Sequence, residues 1–250
     1  MDDSARDGRD GDGTVTVPER LHGYPGVAFG GYVAGLLAGR STAQDVRVDF
    51  RRPVPTGTSL RLSPAADGGA ALTDGDLLLA GASPAGPAEP PVPAAPTWEQ
   101  ASAAAEAYRA APPDGTVDCF GCGLDRTPAT GLRLHCGRVP GSAVVAAAWT
   151  PAAELAGPDG MLAPELVWGA LDCPGNAAGR LLDGRPAGAV TAALHARLLR
   201  PVPVGVGLVS YAWLLTSSGR KYTAGTALAT ASGELCAVAE ALWVQPRTAA

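Results

Sequence analysis

One short phrase occurs twice in this chain of 250 residues, as Val48-Asp49-Phe50-Arg51-Arg52-Pro53-Val54-Pro55-Thr56-Gly57 and as Ala196-Arg197-Leu198-Leu199-Arg200-Pro201-Val202-Pro203-Val204-Gly205. Each copy follows an apolar, Gly-containing stretch of helical character, 27–38 in the first half and 161–172 in the second. Each then runs into segments that alternate like strands. A duplicated fold accounts for this pattern. A duplication also allows one half to lose what the other keeps, so the differences between the copies carry functional information.

Hydrophobic residues make up 46% of the chain but aromatic residues only 5%, so the core is built mainly from Ala, Val and Leu. The net charge of −5, with no Lys/Arg cluster interleaved with aromatics, gives nucleic acid no electrostatic footprint. The N-terminus lacks a positive-plus-apolar leader, and no apolar run approaches the roughly 20 residues that cross a bilayer. The expectation is a cytoplasmic protein with no membrane partner.

Five cysteines, an odd number with no export signal, argue against a disulfide framework. Cys119-Phe120-Gly121-Cys122 has the spacing of metal ligands. A tetrahedral zinc site needs a second pair, however, and Cys136, Cys173, Cys236 and the three histidines offer none at short spacing. The reading is a Gly-rich turn with reduced thiols and no metal.

Residues 1–14, rich in Asp, Gly and Arg, are expected to form a disordered tail. A first module at 15–83 has expected strands at 15–17, 45–51, 59–63, 70–73 and 77–82 between Gly/Asp turns. A Pro/Ala-rich linker and connecting helix occupy 84–116, the helix starting after the N-cap Thr97 and stopping before Pro112-Pro113. A second module at 117–246 has strands at 131–136, 142–149, 189–199, 207–216, 221–229 and 234–244 and a helix at 163–173, and 247–250 is a tail. The fold class is α+β, with one helix buried against an antiparallel sheet in each module.

A helix wrapped by such a sheet, the Arg-Pro-Val-Pro phrase on the strand after it, and the turn Cys119-Phe120-Gly121-Cys122-Gly123 leading to Gly131-Leu132-Arg133-Leu134 together resemble the hotdog-fold thioesterases. Two such units in one chain resemble a double hotdog, packed as an internal pseudo-dimer. The resemblance implies hydrolysis of an acyl thioester, with acyl-CoA or an acyl-carrier protein as partner. Coenzyme A or phosphopantetheine is then part of the substrate, no separate cofactor is needed, and a homodimer of such chains fits the pattern. Two alternatives share the fold. One is a dehydratase or lyase acting on a thioester, since His22-Gly23-Tyr24-Pro25-Gly26 echoes the His-x-Pro-Gly loop of hotdog dehydratases. The other is a non-catalytic acyl-binding protein.

In thioesterases of this type the helix opens with His-Gly-Gly or a similar turn and carries an acid eight positions after the first glycine, and the site lies between two units. The first helix here keeps Gly30-Gly31 after Phe29 but has Ala38 at the acid position. The second keeps the acid as Asp172 but has Ala163-Pro164-Glu165 at the turn, and proline has no N–H to give. The losses are complementary, which implies one working site per chain. Gly30 would offer its N–H to the thioester oxygen, and Asp172 would act as base or nucleophile. Thr191 would orient water, and His22 would face the carbonyl. Gly31, Phe29, Tyr24, Asn176 and Trp168 are the candidate substrate-binding residues.

Simpler readings stand beside these. Gly30-Gly31 fits a tight start to a helix, Asp172 a cap or an arginine's partner, and Thr191 a β-branched strand residue. Asn176 fits a turn, and Glu165 a carboxylate answering a helix dipole. Arg51, Arg52, Arg200, Arg220 and Lys221 fit either phosphate recognition or solvated sheet edges.

Overall fold

The structure, a computed structural model, describes residues 13–43 and 45–247. The tails expected at 1–14 and 247–250 lie outside the described residues, apart from Gly13, Thr14 and Arg247; Thr14 is already in a strand. The first half contains β1 (Thr14–Thr16), β2 (His22–Tyr24), β3 (Val27–Ala28), α1 (Gly30–Ala38), β4 (Val46–Phe50), β5 (Ser59–Pro64), β6 (Ala70–Asp74) and β7 (Leu77–Pro84). Helix α2 (Trp98–Ala110) follows. The second half contains β8 (Gly137–Arg138), β9 (Val144–Trp149), α3 (Pro164–Ala170), α4 (Cys173–Leu182), β10 (Val190–Leu198), β11 (Leu208–Ser218), β12 (Lys221–Thr230) and β13 (Leu235–Val244). Among the described residues, no helix is long and apolar enough to cross a membrane.

Apart from the β2–β3 ribbon, the strands form one antiparallel sheet in the order β1-β5-β6-β7-β4-β10-β13-β12-β11-β9-β8. The first five belong to the first half and the last six to the second. The halves meet where β4 and β10 pair, with Val48 opposite Leu194 and Val46 opposite Ala196. The two copies of the repeated phrase therefore lead out of the two strands at the seam.

The repeated phrase makes the same backbone bonds in both halves. The amides of Arg51 and Arg52 both donate to the Leu79 carbonyl, as those of Leu199 and Arg200 both donate to Cys236. Val54 and Val202 are both buried, and their carbonyls accept from Ala28 and Leu162, the residues that lead into α1 and α3. Gly57 donates to Val17, and Gly205 to Pro151. Arg-Pro-Val-Pro recurs because Pro cannot continue a ladder, and the Val after it ties the strand exit to the start of the helix.

The same bonds align the copies. Ala28 matches Leu162 at an offset of 134, whereas Val54 matches Val202 at an offset of 148. The second half thus carries 14 additional residues between its helix and its seam strand, and α4 lies within them.

The two half-helices cross as an antiparallel pair in close contact. A side-chain carbon on Gly31 would stand 2.7 Å from Gly169 Cα, and one on Gly35 would fall inside contact distance of Glu165 Cα. Small residues four apart on α1 let the backbones approach. This contact brings the N-terminus of α1 against the C-terminal end of α3.

Helix α2 is more than a connection. A capping box of Thr97 and Gln100 fixes its start. Its Ala101 and Ala104 are buried with Val144, Ala146, Tyr211 and Trp213 in a second core on the far side of the β8–β9–β11 region. Trp213 lies in this outer core, away from the helix pair.

The structure departs from the sequence-based boundaries in three places. Val27 and Ala28 pair with β2 as a strand, and the helix starts only at Gly30. The helix expected at 163–173 ends at Ala170, and a separate helix, α4, starts at Cys173 with Pro174 in its first turn, where proline lacks only an amide that has no intrahelical partner. The expected strand at 131–136 is irregular: Arg133 takes φ 59°, and Leu132 and Leu134 donate to the carbonyls of Phe120 and Gly121 in the cysteine turn.

Candidate functional site

Asp172 lies in the bend between α3 and α4, at the N-cap position of α4, but its side chain does not cap that helix. It crosses to the other half instead. The Gly31 N–H donates to Asp172 Oδ2 at 2.7 Å, and the Thr191 hydroxyl, at the start of β10, donates to Oδ1 at 2.8 Å. Gly30 completes the cluster, since a side chain on it would stand 3.1 Å from Asp172 Oδ2 and 3.3 Å from Thr191 Oγ1. Gly30, Gly31, Asp172 and Thr191 thus converge, and among the described residues no arginine pairs with the acid.

Asp172 is 2% exposed, whereas Gly30 and Thr191 are half-buried and form the side open to solvent. Burial pushes the Asp172 carboxyl up to about 7, against the opposing pull of its bonds from Thr191 and Gly31. A buried acid poised there can take a proton near neutral pH. Among the described residues the Gly30 N–H donates to no acceptor, so the first amide of α1 is available to an incoming oxygen.

By the register of the repeat, Asp172 matches Ala38 and Thr191 matches Ala43, while Gly30 and Gly31 match Pro164 and Glu165. The other end of the helix pair therefore lacks the acid, the hydroxyl and the amide of the Gly30 position, and keeps only a backbone amide, that of Glu165, at the Gly31 position.

The remaining candidates surround this cluster or stand apart from it. Phe29 is buried, its ring 6.0 Å from that of Phe120 and packed on Gly169. Trp168 is buried against Gly35 in the helix contact. The Tyr24 hydroxyl donates to the Ala189 carbonyl at 2.7 Å. Tyr24 and Asn176 line a cavity of about 50 Å³ whose wall does not include Asp172 or Gly30. Asn176 is on α4 and not in a turn, and its Oδ1 is buried with no partner.

Among the described residues, no hydrogen bond or ion pair joins His22 to Asp172. Its ring donates to the Glu19 carbonyl at 2.8 Å and accepts from Arg126 at 3.0 Å, with Asp118 3.6 Å away. It holds the β2 ribbon to the loop that follows the cysteine turn. Of the arginines weighed for phosphate binding, Arg200 is paired with Glu234, and Arg220 donates to the Gln245 carbonyl.

The cysteines are arranged differently from what linear spacing suggested. The fold brings Cys173, the first residue of α4, to the Cys119–Cys122 turn, and the three sulfurs lie within 4.8 Å of one another. The sequence signal for the third thiol was absent because 50 residues separate it from the turn.

No protein-family model matches the sequence, and no curated protein matches it. Solved structures do match. A thioesterase II of Mycobacterium marinum, TesB2, named as an acyl-CoA thioesterase, is similar with a TM-score of 0.59 at 16% identity, over 94% of this chain and 93% of that one. A tesB protein of Mycobacterium avium subspecies paratuberculosis is similar with a TM-score of 0.62 at 15% identity, over 94% and 92%. A protein of Novosphingobium aromaticivorans described as a thioesterase has a TM-score of 0.62 at 17% identity, over 94% and 95%. At these identities the likeness is one of fold, and it extends over nearly the whole chain. This chain therefore has the fold of the TesB-type thioesterase structures, the architecture to which its repeat and cysteine turn are similar.

Proposed function

We propose that the chain is a double hotdog that hydrolyses an acyl thioester, carried by coenzyme A or by the phosphopantetheine of a carrier protein, at one site between its halves. The observation that carries this reading is the 2.7 Å bond from the Gly31 amide of one half to the Asp172 carboxylate of the other. It sets a proton acceptor beside the open end of a helix.

The thioester carbonyl approaches the Gly30 N–H, which is fixed before the reaction and meets the negative charge that develops on oxygen. Glycine at 30 lets the substrate reach the backbone. As the water oxygen attacks the carbonyl carbon, one water proton passes to Thr191 Oγ while the Thr191 hydroxyl proton passes to Asp172 Oδ1, so that Thr191 stays a neutral hydroxyl and Asp172 ends protonated. The tetrahedral intermediate collapses, the carbon–sulfur bond breaks, and the leaving thiolate takes the proton held by Asp172, directly or through solvent, which gives a free thiol and restores the carboxylate. A lyase on this scaffold draws no comparable support, because His22 is engaged with Glu19 and Arg126.

The test is thiol release from a panel of acyl-CoA and acyl-carrier-protein substrates by the wild type and Asp172→Asn. General-base loss lowers turnover by about 100-fold or more. Undiminished thiol release in the variant removes Asp172 from the reaction, and water loss without free thiol favours the lyase.

A further inference from the structure

The geometry points to a zinc site of three thiolates, Cys119, Cys122 and Cys173, with its fourth position open toward the cavity beside Asn176. This site is separate from the hydrolytic cluster and does not depend on that assignment. A tetrahedral zinc with metal–sulfur bonds near 2.3 Å sets its sulfurs about 3.8 Å apart. Cys119 Sγ and Cys173 Sγ are 3.7 Å apart, and Cys122 Sγ is within 4.8 Å of both. The cluster thus needs little movement to close around a cation.

The backbone around it is shaped for the same purpose. The Gly121 N–H donates to Cys119 Sγ at 3.2 Å, the kind of outer bond that holds a metal-bound thiolate in orientation. Any side chain on Gly121 would collide with Cys173 Sγ, so glycine there is what admits the third sulfur. The Gly123 N–H closes the turn on the Cys119 carbonyl. Cys122 and Cys173 both line the 50 Å³ cavity, which has room for a water.

Asn176 supplies a second, independent pointer. Its Oδ1 is buried with no hydrogen-bond partner and lines the same cavity one helical turn after Cys173. A buried acceptor of this kind costs free energy unless something donates to it. A water on the open zinc position would donate to it, and so would account for both the cavity and the orphaned oxygen.

Three thiols with one neutral ligand suit a soft or borderline cation, and zinc is the divalent ion of that type without redox chemistry. On binding, the three S–H groups release their protons to solvent, and no electrons are transferred. The bound ion joins the turn at 119–122 to the first residue of α4. It thereby fixes the bend that carries Asp172.

The experiment uses the full chain, reduced and stripped of metal by a chelator, and titrated with Co²⁺ as a zinc analogue. The expected result is a near-ultraviolet sulfur-to-cobalt charge-transfer band with visible tetrahedral bands. It saturates at one equivalent and disappears when Zn²⁺ is added. Cys122→Ser loses the band, whereas Cys236→Ser, remote in sequence and outside the cluster, keeps it. X-ray absorption at the zinc edge of the wild-type protein, which does not depend on any variant folding, should give three sulfur neighbours and one lighter atom. Failure of the reduced chain to take up cobalt, a band that survives Cys122→Ser, or a zinc edge without sulfur neighbours each overturns the assignment.

Discussion

Substituting alanine for Gly31 and for Gly35 separates the packing role of the α1–α3 crossing from its chemical role. In an ordinary helix interior Gly→Ala stabilises by about 1 kcal/mol. Here the added carbon at 31 would sit 2.7 Å from Gly169 Cα, 2.8 Å from Asp172 Cβ and 2.9 Å from the Trp168 carbonyl oxygen. Comfortable carbon contacts begin near 3.5 Å, so the helices must part by roughly 1 Å. Overpacking of this kind costs about 1–3 kcal/mol. At position 35 the clash is tighter still, with the Glu165 backbone, so the upper part of that range applies and outweighs the helix-propensity gain. The net loss for Gly35→Ala is about 2 kcal/mol, or roughly 4–8 °C in the melting midpoint for a chain of this size. Gly31→Ala loses at least as much, because it also displaces the acceptor of its own N–H.

Activity should divide the two variants. A shift of about 1 Å at a reacting group costs roughly 100-fold in rate. Gly31→Ala moves Asp172 and should lose on that scale, while Gly35→Ala, one turn further from the acid, keeps turnover per folded molecule. Gly86, with nothing within 4 Å of an added carbon, serves as the control, and Gly86→Ala should change stability by less than about 0.5 kcal/mol. Calorimetry with thiol-release kinetics measures both quantities. A Gly35→Ala protein that melts at or above the wild type refutes the described helix contact, and equal rate losses in both variants refute the link from Gly31 to the acid.

Four further outcomes follow, three of them from the same cluster. With a chelator present, so that no bound cation adds its charge, kcat/KM rises with pH through about 7, as Asp172 must be ionised to accept a proton. Because burial raises this group above its ordinary value of 3.8, its contribution to stability is complete below about pH 4 and is lost as pH rises through about 7. Melting midpoints of wild type against Asp172→Asn from pH 4 to 8 check this, and a constant difference contradicts it. Thr191→Val removes a donor that pulls the Asp172 carboxyl down, so the pH–rate midpoint moves upward and turnover falls; an unmoved midpoint argues against the hydroxyl's role. His22→Ala lowers the melting midpoint but leaves turnover of the folded protein intact, and a large kinetic loss would restore His22 to the chemistry.

The elements that could be read from the sequence were those punctuated by turns. Ser217–Arg220 and Asp74–Asp76 bracketed strands because Gly219 and Gly75 take φ values of 53° and 55°, which an L side chain resists. The paired acid and glycines were also legible, since the repeat supplied an internal standard against which Ala38 and Pro164 stand out as losses. Residues 131–136 misled because apolar Leu132, Leu134 and Cys136 alternate with polar Arg133 and His135 without belonging to a ladder; His135 is buried as well, so the alternation in residue type does not reflect two faces of a strand. Helix α4 was hidden by Pro174-Gly175, which looks like a turn. Its glycines are there for packing: Gly175 meets Trp243 and Gly179 meets Tyr222, each too close for a side chain.

The 14-residue excess of the second half links these observations. Without it, the chain after α3 would return directly to the seam strand, as it does after α1, and position 172 would end its helix as its counterpart Ala38 does, with no second helix to follow. With it, the chain bends sharply at Leu171 and Asp172 and starts a second helix, whose Ala178 is buried in the same core. The bend points the carboxylate back across the helix pair to Gly31, and the next residue, Cys173, meets the cysteine turn. One insertion thus sets both the acid and the third thiol, and only in the half whose partner helix begins with two glycines. The half that lacks the insertion could carry an aspartate at 38 and still gain little, because the amide that would meet the thioester oxygen, the counterpart of Gly30's, falls on Pro164, which has none. Restoring the lost site therefore takes changes at both ends of the crossing, and Ala38→Asp alone should leave the number of active sites per chain at one.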